Sequence, residues 1–331
     1  MMNEQEPGSS TADLQPSTTP ARPTRAVLIQ NPAAGQGDWQ EQVDAAAATM
    51  RAAGWEVTLR QTTGAGDATG FAREAVAAGC DVVVVAGGDG TVNEALQGMA
   101  GQRRTALGVL PGGTVNVWAT ELGAGQREPD IARRITRGRR YPVDLGRVNG
   151  RFFLMMASAG IDAEANALVA EVTPLKRLKR LVGPVPYAIA AAITAIRYRG
   201  RPAALDIDGR PVARRLLTLV VGNTRLYGGI AEITYQARAN DGLLDACIIS
   251  GRGPLDFLRR LVSVLLRRHY VDPAIDYRKA RRVVLDPARP LRIQADGEDI
   301  GQTPATFTIV PQALEVIILS DTPPGFLGAG E

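Results

Sequence analysis

An α/β domain built on an open, mostly parallel sheet, followed by a β-sandwich-like second domain with a cleft between the two, is the architecture this sequence predicts. Three observations carry that expectation. Four consecutive valines, Val82 to Val85, run into Gly87-Gly88-Asp89-Gly90-Thr91, which reads as a strand covered on both faces that turns tightly into a helix. Strand-like and helical stretches alternate around this run, the pattern of an α/β sheet. After about Tyr141 the rhythm changes to short apolar strands separated by turns, as in a layered β domain.

In order, the periodicity predicts strand at 26–29, helix at 39–53, strand at 56–61, helix at 67–78, strand at 81–86, helix from Thr91 and strand at 106–110. Ligands of such sheets lie outside the carboxyl ends of the strands. Three polar, glycine-containing turns fall there: Asn31-Pro32-Ala33-Ala34-Gly35, Gly87 to Thr91, and Pro111-Gly112-Gly113-Thr114-Val115-Asn116. Glycine lets a backbone approach phosphate closely, and the helix start beyond it points N–H groups at an anion. Asp89 would repel a bare polyphosphate, so the loop makes best sense with a divalent cation between them, as in Mg-ATP. A tight turn with an aspartate cap is the plainer reading of the same residues. A dinucleotide fingerprint is ruled out because its third glycine falls at Asn93, and a P-loop because the only lysines are Lys176, Lys179 and Lys279.

In the second half, strands are expected at 152–155, 204–207, 216–221, 243–249, 282–285, 291–293, 305–309 and 314–319, with helices near 186–197 and 255–268. The division should fall near 140–142. That gives a disordered tail over 1–24, an α/β domain over 25–141, a β-rich domain over 142–320 and a flexible terminus over 321–331. The tail is rich in Ser, Thr, Pro and Glu and lacks the apolar centre of a signal peptide. The longest apolar run, 181–196, is too short and proline-interrupted for a membrane span and reads as a buried helix. A hydrophobic content of 45% over 331 residues suits two globular cores. The net charge of +4 comes almost wholly from arginine, which suits an anionic surface. Cys80 and Cys247 lie among apolar residues, so a reduced, cytosolic protein is expected rather than a disulfide framework.

An ordered set of motifs spans residues 25 to 320. It comprises Asn31-Pro32 with Gly35, Thr62 with Gly66-Asp67-Ala68, Gly87 to Glu94, Pro111 to Asn116 and Gly160-Ile161-Asp162-Ala163. It continues with Asn223 and Tyr227-Gly228-Gly229, Asp241-Gly242-Leu243-Leu244-Asp245, and Asp296-Gly297-Glu298. In this order the set resembles the bacterial diacylglycerol kinase family, to which sphingosine and ceramide kinases are related. The resemblance implies an α/β nucleotide domain followed by a β-sandwich. It further implies that Asn31, Gly35, Thr62, Gly87, Gly88, Asp89, Gly90, Thr91, Asn93, Glu94, Thr114 and Asn116 bind ATP. Asp241, with main-chain oxygens of Arg238 and Leu243, would belong to a magnesium site. Asp296 and Asp89 would serve catalysis, and Glu298 would stand in the place of the proton acceptor. A carboxylate base also suits the residues themselves, because the sole histidine, His269, lies among Arg267, Arg268 and Tyr270. Two positions depart from the family pattern: Val117 follows Asn116 where an aspartate is usual, and Ile230 replaces a third glycine.

Each supporting motif also has a plain reading: Asp241-Gly242 and Asp296-Gly297 are hairpin turn signals, and Asp162 suits a helix cap. The helix at 255–268 sets Leu258, Leu261, Val262 and Leu265 against Arg259, Arg260, Arg267 and Arg268. That is a solvated amphipathic helix or an interfacial anchor, and 174–180 is a second basic candidate. The expected activity is ATP- and Mg2+-dependent transfer of the γ-phosphoryl group to a hydroxyl of diacylglycerol or a related lipid alcohol. A soluble-substrate kinase of the NAD-kinase type and a non-catalytic lipid- or nucleotide-binding protein are the alternatives. The expected partners are a lipid substrate and an anionic membrane, met peripherally from the cytoplasmic side, without nucleic acid; a homodimer is compatible.

Overall fold

The computed structural model describes residues 23–35, 39–124, 130–171, 190, 194, 198–229, 231–320, 322–323 and 325–328. Most of the tail, the 174–180 basic segment, most of the 181–196 run, Ile230 and five of the last eleven residues lie outside them. The first half is β1 (Arg25–Gln30), α1 (Trp39–Ala52), β2 (Glu56–Gln61), α2 (Asp67–Ala77), β3 (Val82–Gly87), α3 (Asp89–Met99) and β4 (Gln102–Pro111). It continues into two short helices, α4 (Val117–Glu121) and α5 (Ile131–Arg137). The four strands are parallel in the order β2-β1-β3-β4, and every residue of β3 is buried.

That order fixes where a ligand can sit. The crossover from β1 to β2 runs one way along the sheet, and those from β2 to β3 and from β3 to β4 run the other. With right-handed crossovers, α1 must lie on one face and α2 with α3 on the opposite face. The direction reverses between β1 and β3, so the crevice for a ligand opens outside their carboxyl ends. The turns after Gln30 and Gly87 lie at that point.

The second half is β-rich. Its strands are β5 (Arg139–Val148), β6 (Arg151–Phe153), β7 (Met156–Gly160), β8 (Arg201–Ile207), β9 (Arg210–Gly222), β10 (Leu226–Tyr227), β11 (Ala231–Glu232) and β12 (Leu244–Ser250). They are followed by β13 (Ile275–Ala280), β14 (Arg282–Pro287), β15 (Arg292–Ala295), β16 (Glu298–Gln302) and β17 (Ala305–Ile318). Helix α6 (Ile161–Glu171) follows β7, and α7 (Pro254–Leu265) follows β12. The central strand β9 pairs antiparallel with β7, β8 and β12.

Three expectations are corrected here, each for a local physical reason. The strand expected at 152–155 is two strands, because the N–H groups of Leu154, Met155 and Met156 all turn to the Asp296 carboxylate. The strands expected at 305–309 and 314–319 are one. A bulge at Gln312, whose φ is 49°, is held by its N–H donating to Asp144 Oδ1 at 2.8 Å. The division expected at 140–142 falls inside β5, which pairs with β17 from Phe307 to Ile318, while β17 also pairs parallel with β4. One sheet therefore runs through both halves.

Candidate active site

The three predicted turns meet. Gly35 N–H donates to Gly112 O at 2.6 Å, and Gly112 N–H donates to Gly87 O at 2.9 Å. The second and third turns touch backbone to backbone: a Cβ added to Gly113 would lie 2.7 Å from Gly88 Cα. Glycine is required at this contact because any side chain would drive the loops apart. Asn31 spans from the first turn to the second, its Nδ2 donating to Thr91 Oγ1 at 3.0 Å. Asn116 is left-handed (φ 53°) and buried; its side-chain amide accepts from Gly113 N–H at 2.8 Å and donates to Gly113 O at 2.9 Å. Thr114 is exposed at the tip. Buried Thr62 donates its N–H to Gln30 O at 2.8 Å. Beyond it Glu94 accepts from Gly66 N–H at 2.9 Å. Asp67 accepts from Thr63 and Gly64, and the Thr63 N–H above all holds its carboxyl below the ordinary value.

Helix α3 leads from these turns to the second half. Its N-cap is Gly88, so no capping side chain takes the first amides. Asp89, Asn93 and Gln97 recur every four residues and so share one face. Asp89 Oδ1 accepts from Trp118 N–H at 3.4 Å, which ties the helix start to α4. Gln97 hooks the backbone of Phe152 in both directions, donating to its O at 2.9 Å and accepting from its N–H at 3.2 Å. Buried Asn93 donates to Asp296 Oδ2 at 3.0 Å and accepts from Arg151 Nη2 at 2.7 Å, and the same guanidinium nitrogen is paired with Glu298 Oε2. A continuous set of contacts thus runs from the glycine-rich turn to Glu298.

The two carboxylates of Asp296-Gly297-Glu298 have separate fates. Asp296 is buried and accepts four hydrogen bonds: Met155 and Met156 N–H on Oδ1 at 3.0 and 2.9 Å, Leu154 N–H and Asn93 Nδ2 on Oδ2 at 2.7 and 3.0 Å. With four donors on its two oxygens, it has no lone pair left to take a proton from a substrate. A catalytic part for Asp296 is corrected to a positioning one: it fixes Asn93 and the turn between β6 and β7. Glu298 is one-third exposed and borders the crevice. Burial pushes its carboxyl above the ordinary value, the Arg151 charge pulls it back, and the charges of Glu94 and Asp296 add to the rise. A raised carboxylate within reach of solvent is the form a general base takes near neutral pH.

The metal site that the resemblance implied at Asp241, with Arg238 and Leu243, is filled by the protein's own cation. Lys279 Nζ donates to Asp241 Oδ2 at 2.7 Å and to Gln236 O at 3.0 Å, and stands 3.7 Å from Asp245 Oδ2. The other Asp241 oxygen accepts from Leu243 N–H at 3.1 Å, and the Arg238 guanidinium donates to Leu327 O at 2.8 Å. The Asp241 side chain does not fit a resident metal, because the ammonium already neutralises the carboxylate a cation would need. Burial pushes Asp245 up to about 6, against the Tyr277 hydroxyl and Lys279, which hold it down.

Arg151, Lys279 and Glu121 carry much of this arrangement and match no motif. Asn149-Gly150 signals the turn before Arg151 but says nothing of the distant glutamate it meets. Glu121, fully buried, accepts from Leu226 N–H at 2.5 Å and stands 3.7 Å from Arg225, which joins α4 to the β10–β11 hairpin. Val117 packs against the core, and Val115 Cγ1 would lie 2.9 Å from a Cβ on Gly229 of that hairpin.

Residues 25–148 match the family model for the diacylglycerol kinase catalytic domain, and residues 155–318 that for the YegS C-terminal NAD kinase beta sandwich-like domain. The diacylglycerol kinase of Bacillus subtilis (strain 168) is 30% identical over 296 residues, which is 89% of this chain and 96% of the relative. That of Staphylococcus carnosus (strain TM300) is 29% identical over 299 residues, 90% and 96% of the two chains. A crystal structure of a candidate diacylglycerol kinase from Bacillus anthracis str. Sterne is similar with a TM-score of 0.78 at 26% identity, covering 91% of this chain and 99% of that one. By sequence along nearly its whole length and by fold, the chain belongs to the diacylglycerol kinase family.

Proposed function

We propose that this protein transfers the γ-phosphoryl group of Mg-ATP to a hydroxyl of diacylglycerol or a related lipid alcohol. The observation that carries the reading is the join between the nucleotide crevice and a raised carboxylate, Glu298 to Arg151 to Asn93 on one face of α3. The phosphates would rest against the amides at the start of α3 and the glycine backbones of Gly88 and Gly113, with Asp89 facing the magnesium that accompanies the nucleotide. Glu298 would accept the hydroxyl proton as the alcohol oxygen bonds to the γ-phosphorus and the bond to the β-phosphate oxygen breaks, releasing ADP. Arg151 orients Glu298 and keeps it ionised. Asp296 holds Asn93, and through it Arg151, at fixed distance from the turn. Peripheral attachment at the inner face of the membrane goes with this reading.

The test is Glu298→Gln, assayed with labelled ATP on a panel of lipid alcohols and, separately, on NAD as a soluble acceptor. The variant keeps the size of the side chain and loses the proton-accepting charge. Turnover on the preferred lipid should fall by roughly 10²–10⁴-fold, the usual contribution of a general base, with nucleotide binding nearly unchanged. Loss of nucleotide binding with turnover intact at saturating ATP would overturn the role of Glu298. Phosphorylation of NAD and no lipid by the wild type would move the assignment to a soluble-substrate kinase.

A further inference from the structure

The helix α7 has two apolar faces, and only one of them is used by the fold. Phe257 packs against the core and Val264 is buried, while Arg260, on the same inner face, is paired with Asp272 at 2.6 Å. On the outer face Leu255, Leu258, Val262 and Leu266 recur at three- and four-residue spacing with exposures of 70, 54, 44 and 60%, flanked by Leu261. Val271, at 82%, extends the patch beyond the helix end. Among the described residues, seven of the eight large exposed hydrophobics lie between 255 and 271. Isolated exposed apolar residues are ordinary, but a contiguous set of this kind marks a contact surface.

We propose that this face docks into an anionic bilayer. The charge around it selects that occupant: residues 252–272 hold five arginines against two aspartates, and both aspartates are engaged, Asp256 by the N–H of Arg252 at 2.7 Å and Asp272 by Arg260. Arg259, Arg267 and Arg268 are exposed beside the leucines, the arrangement by which an interfacial helix buries its apolar side among acyl chains while its cations meet lipid phosphates. The patch is fastened to the site. Tyr270 packs on Tyr235 with ring centroids 4.0 Å apart, and Arg267 reaches Glu232 of β11 at 3.7 Å. The β10–β11 hairpin then meets the nucleotide turns at Gly229 and Val115 and at Leu226 and Glu121. Docking here brings a bilayer against the edge of the crevice. The choice of a bilayer rests in part on the lipid-kinase reading, but its test does not.

The experiment is sedimentation with vesicles of phosphatidylglycerol and phosphatidylcholine at low salt, using the full chain and a Leu255→Ser/Leu258→Ser/Val262→Ser variant. Since all three side chains are exposed, the variant should keep its unfolding temperature. Vesicle binding should fall at least tenfold in the variant, fall for the wild type as salt is raised, and be weak on phosphatidylcholine alone. A Leu258→Trp protein should show added fluorescence that brominated lipid quenches, which places this residue below the headgroups. Equal sedimentation of variant and wild type, or an unquenched Leu258→Trp signal, overturns the proposal. So does a dimer that the triple variant dissociates in the absence of any vesicle binding. Activity on a short-chain, monomeric diacylglycerol separates the two readings: vesicle binding without any lipid phosphorylation would leave the docking surface standing and remove the lipid-kinase assignment.

Discussion

Replacing Asp296 by Asn separates a positioning carboxylate from a chemical one. The backbone there is left-handed, with φ 46°, and asparagine tolerates that conformation as well as aspartate does, so strain does not enter. What changes is the set of acceptors. Each carboxylate oxygen takes two N–H donors, and the amide keeps one oxygen. In either orientation two buried donors lose their acceptor and face an NH2 group. At about 1–3 kcal/mol for each such loss, the folded state should be destabilised by about 2–6 kcal/mol. Equilibrium urea unfolding measures this directly, with an unchanged slope and a lower midpoint. Glu298→Gln, at a partly exposed position, should stay within about 1 kcal/mol of wild type in the same assay. An Asp296→Asn protein as stable as wild type within about 0.5 kcal/mol, and yet a hundredfold slower, would refute the positioning role and return Asp296 to the chemistry.

Two further outcomes follow from the same geometry. Arg151→Met removes the cation that pulls the Glu298 carboxyl down against burial; since the base must be ionised, the acidic limb of the kcat/KM profile should move to higher pH, and a limb that stays in place would exclude Glu298 as the titrating base. For Asp245 the folded value of about 6 lies above the ordinary 3.8, so the folded state holds the proton more tightly and stability is lost as pH rises through that window. Asp245→Asn cannot titrate, so its stability relative to wild type should improve by about 2 kcal/mol between pH 4 and 7, since each tenfold difference in proton affinity between folded and unfolded states is worth about 1.4 kcal/mol. Parallel pH–stability curves for the two proteins would contradict this.

Where the chain is apolar and periodic, its sequence already reads as the structure it forms. The valine run, the three turns at strand ends and the motif order led to the sheet, the crevice and the carboxylate that borders it. What stayed hidden is polar and long-range. The strands β5, β13 and β16 carry Arg-Arg-Tyr, Asp-Tyr-Arg-Lys and Glu-Asp, and no apolar run marks them. Asp-Gly at 296 signals a turn, but nothing local reveals that its carboxylate collects amides from residues 154 to 156. Arg151 and Lys279 are ordinary strand cations, and only the fold brings them to Glu298 and Asp241.

The last strand also sets the order of events on the ribosome. Until β17 is made, β4 is the open edge of a finished parallel sheet, carrying the apolar side chains of Leu107, Val109 and Leu110 and a row of unpaired amides and carbonyls along its free side. Chains lengthen at about 5–20 residues per second and tend to fold from the N-terminus, so this edge waits while the whole β-rich half is synthesised. A nascent chain of this family member is therefore a natural client for a chaperone that shields strand edges, and a message cut before codon 305 yields a sheet with a sticky side rather than a smaller working protein.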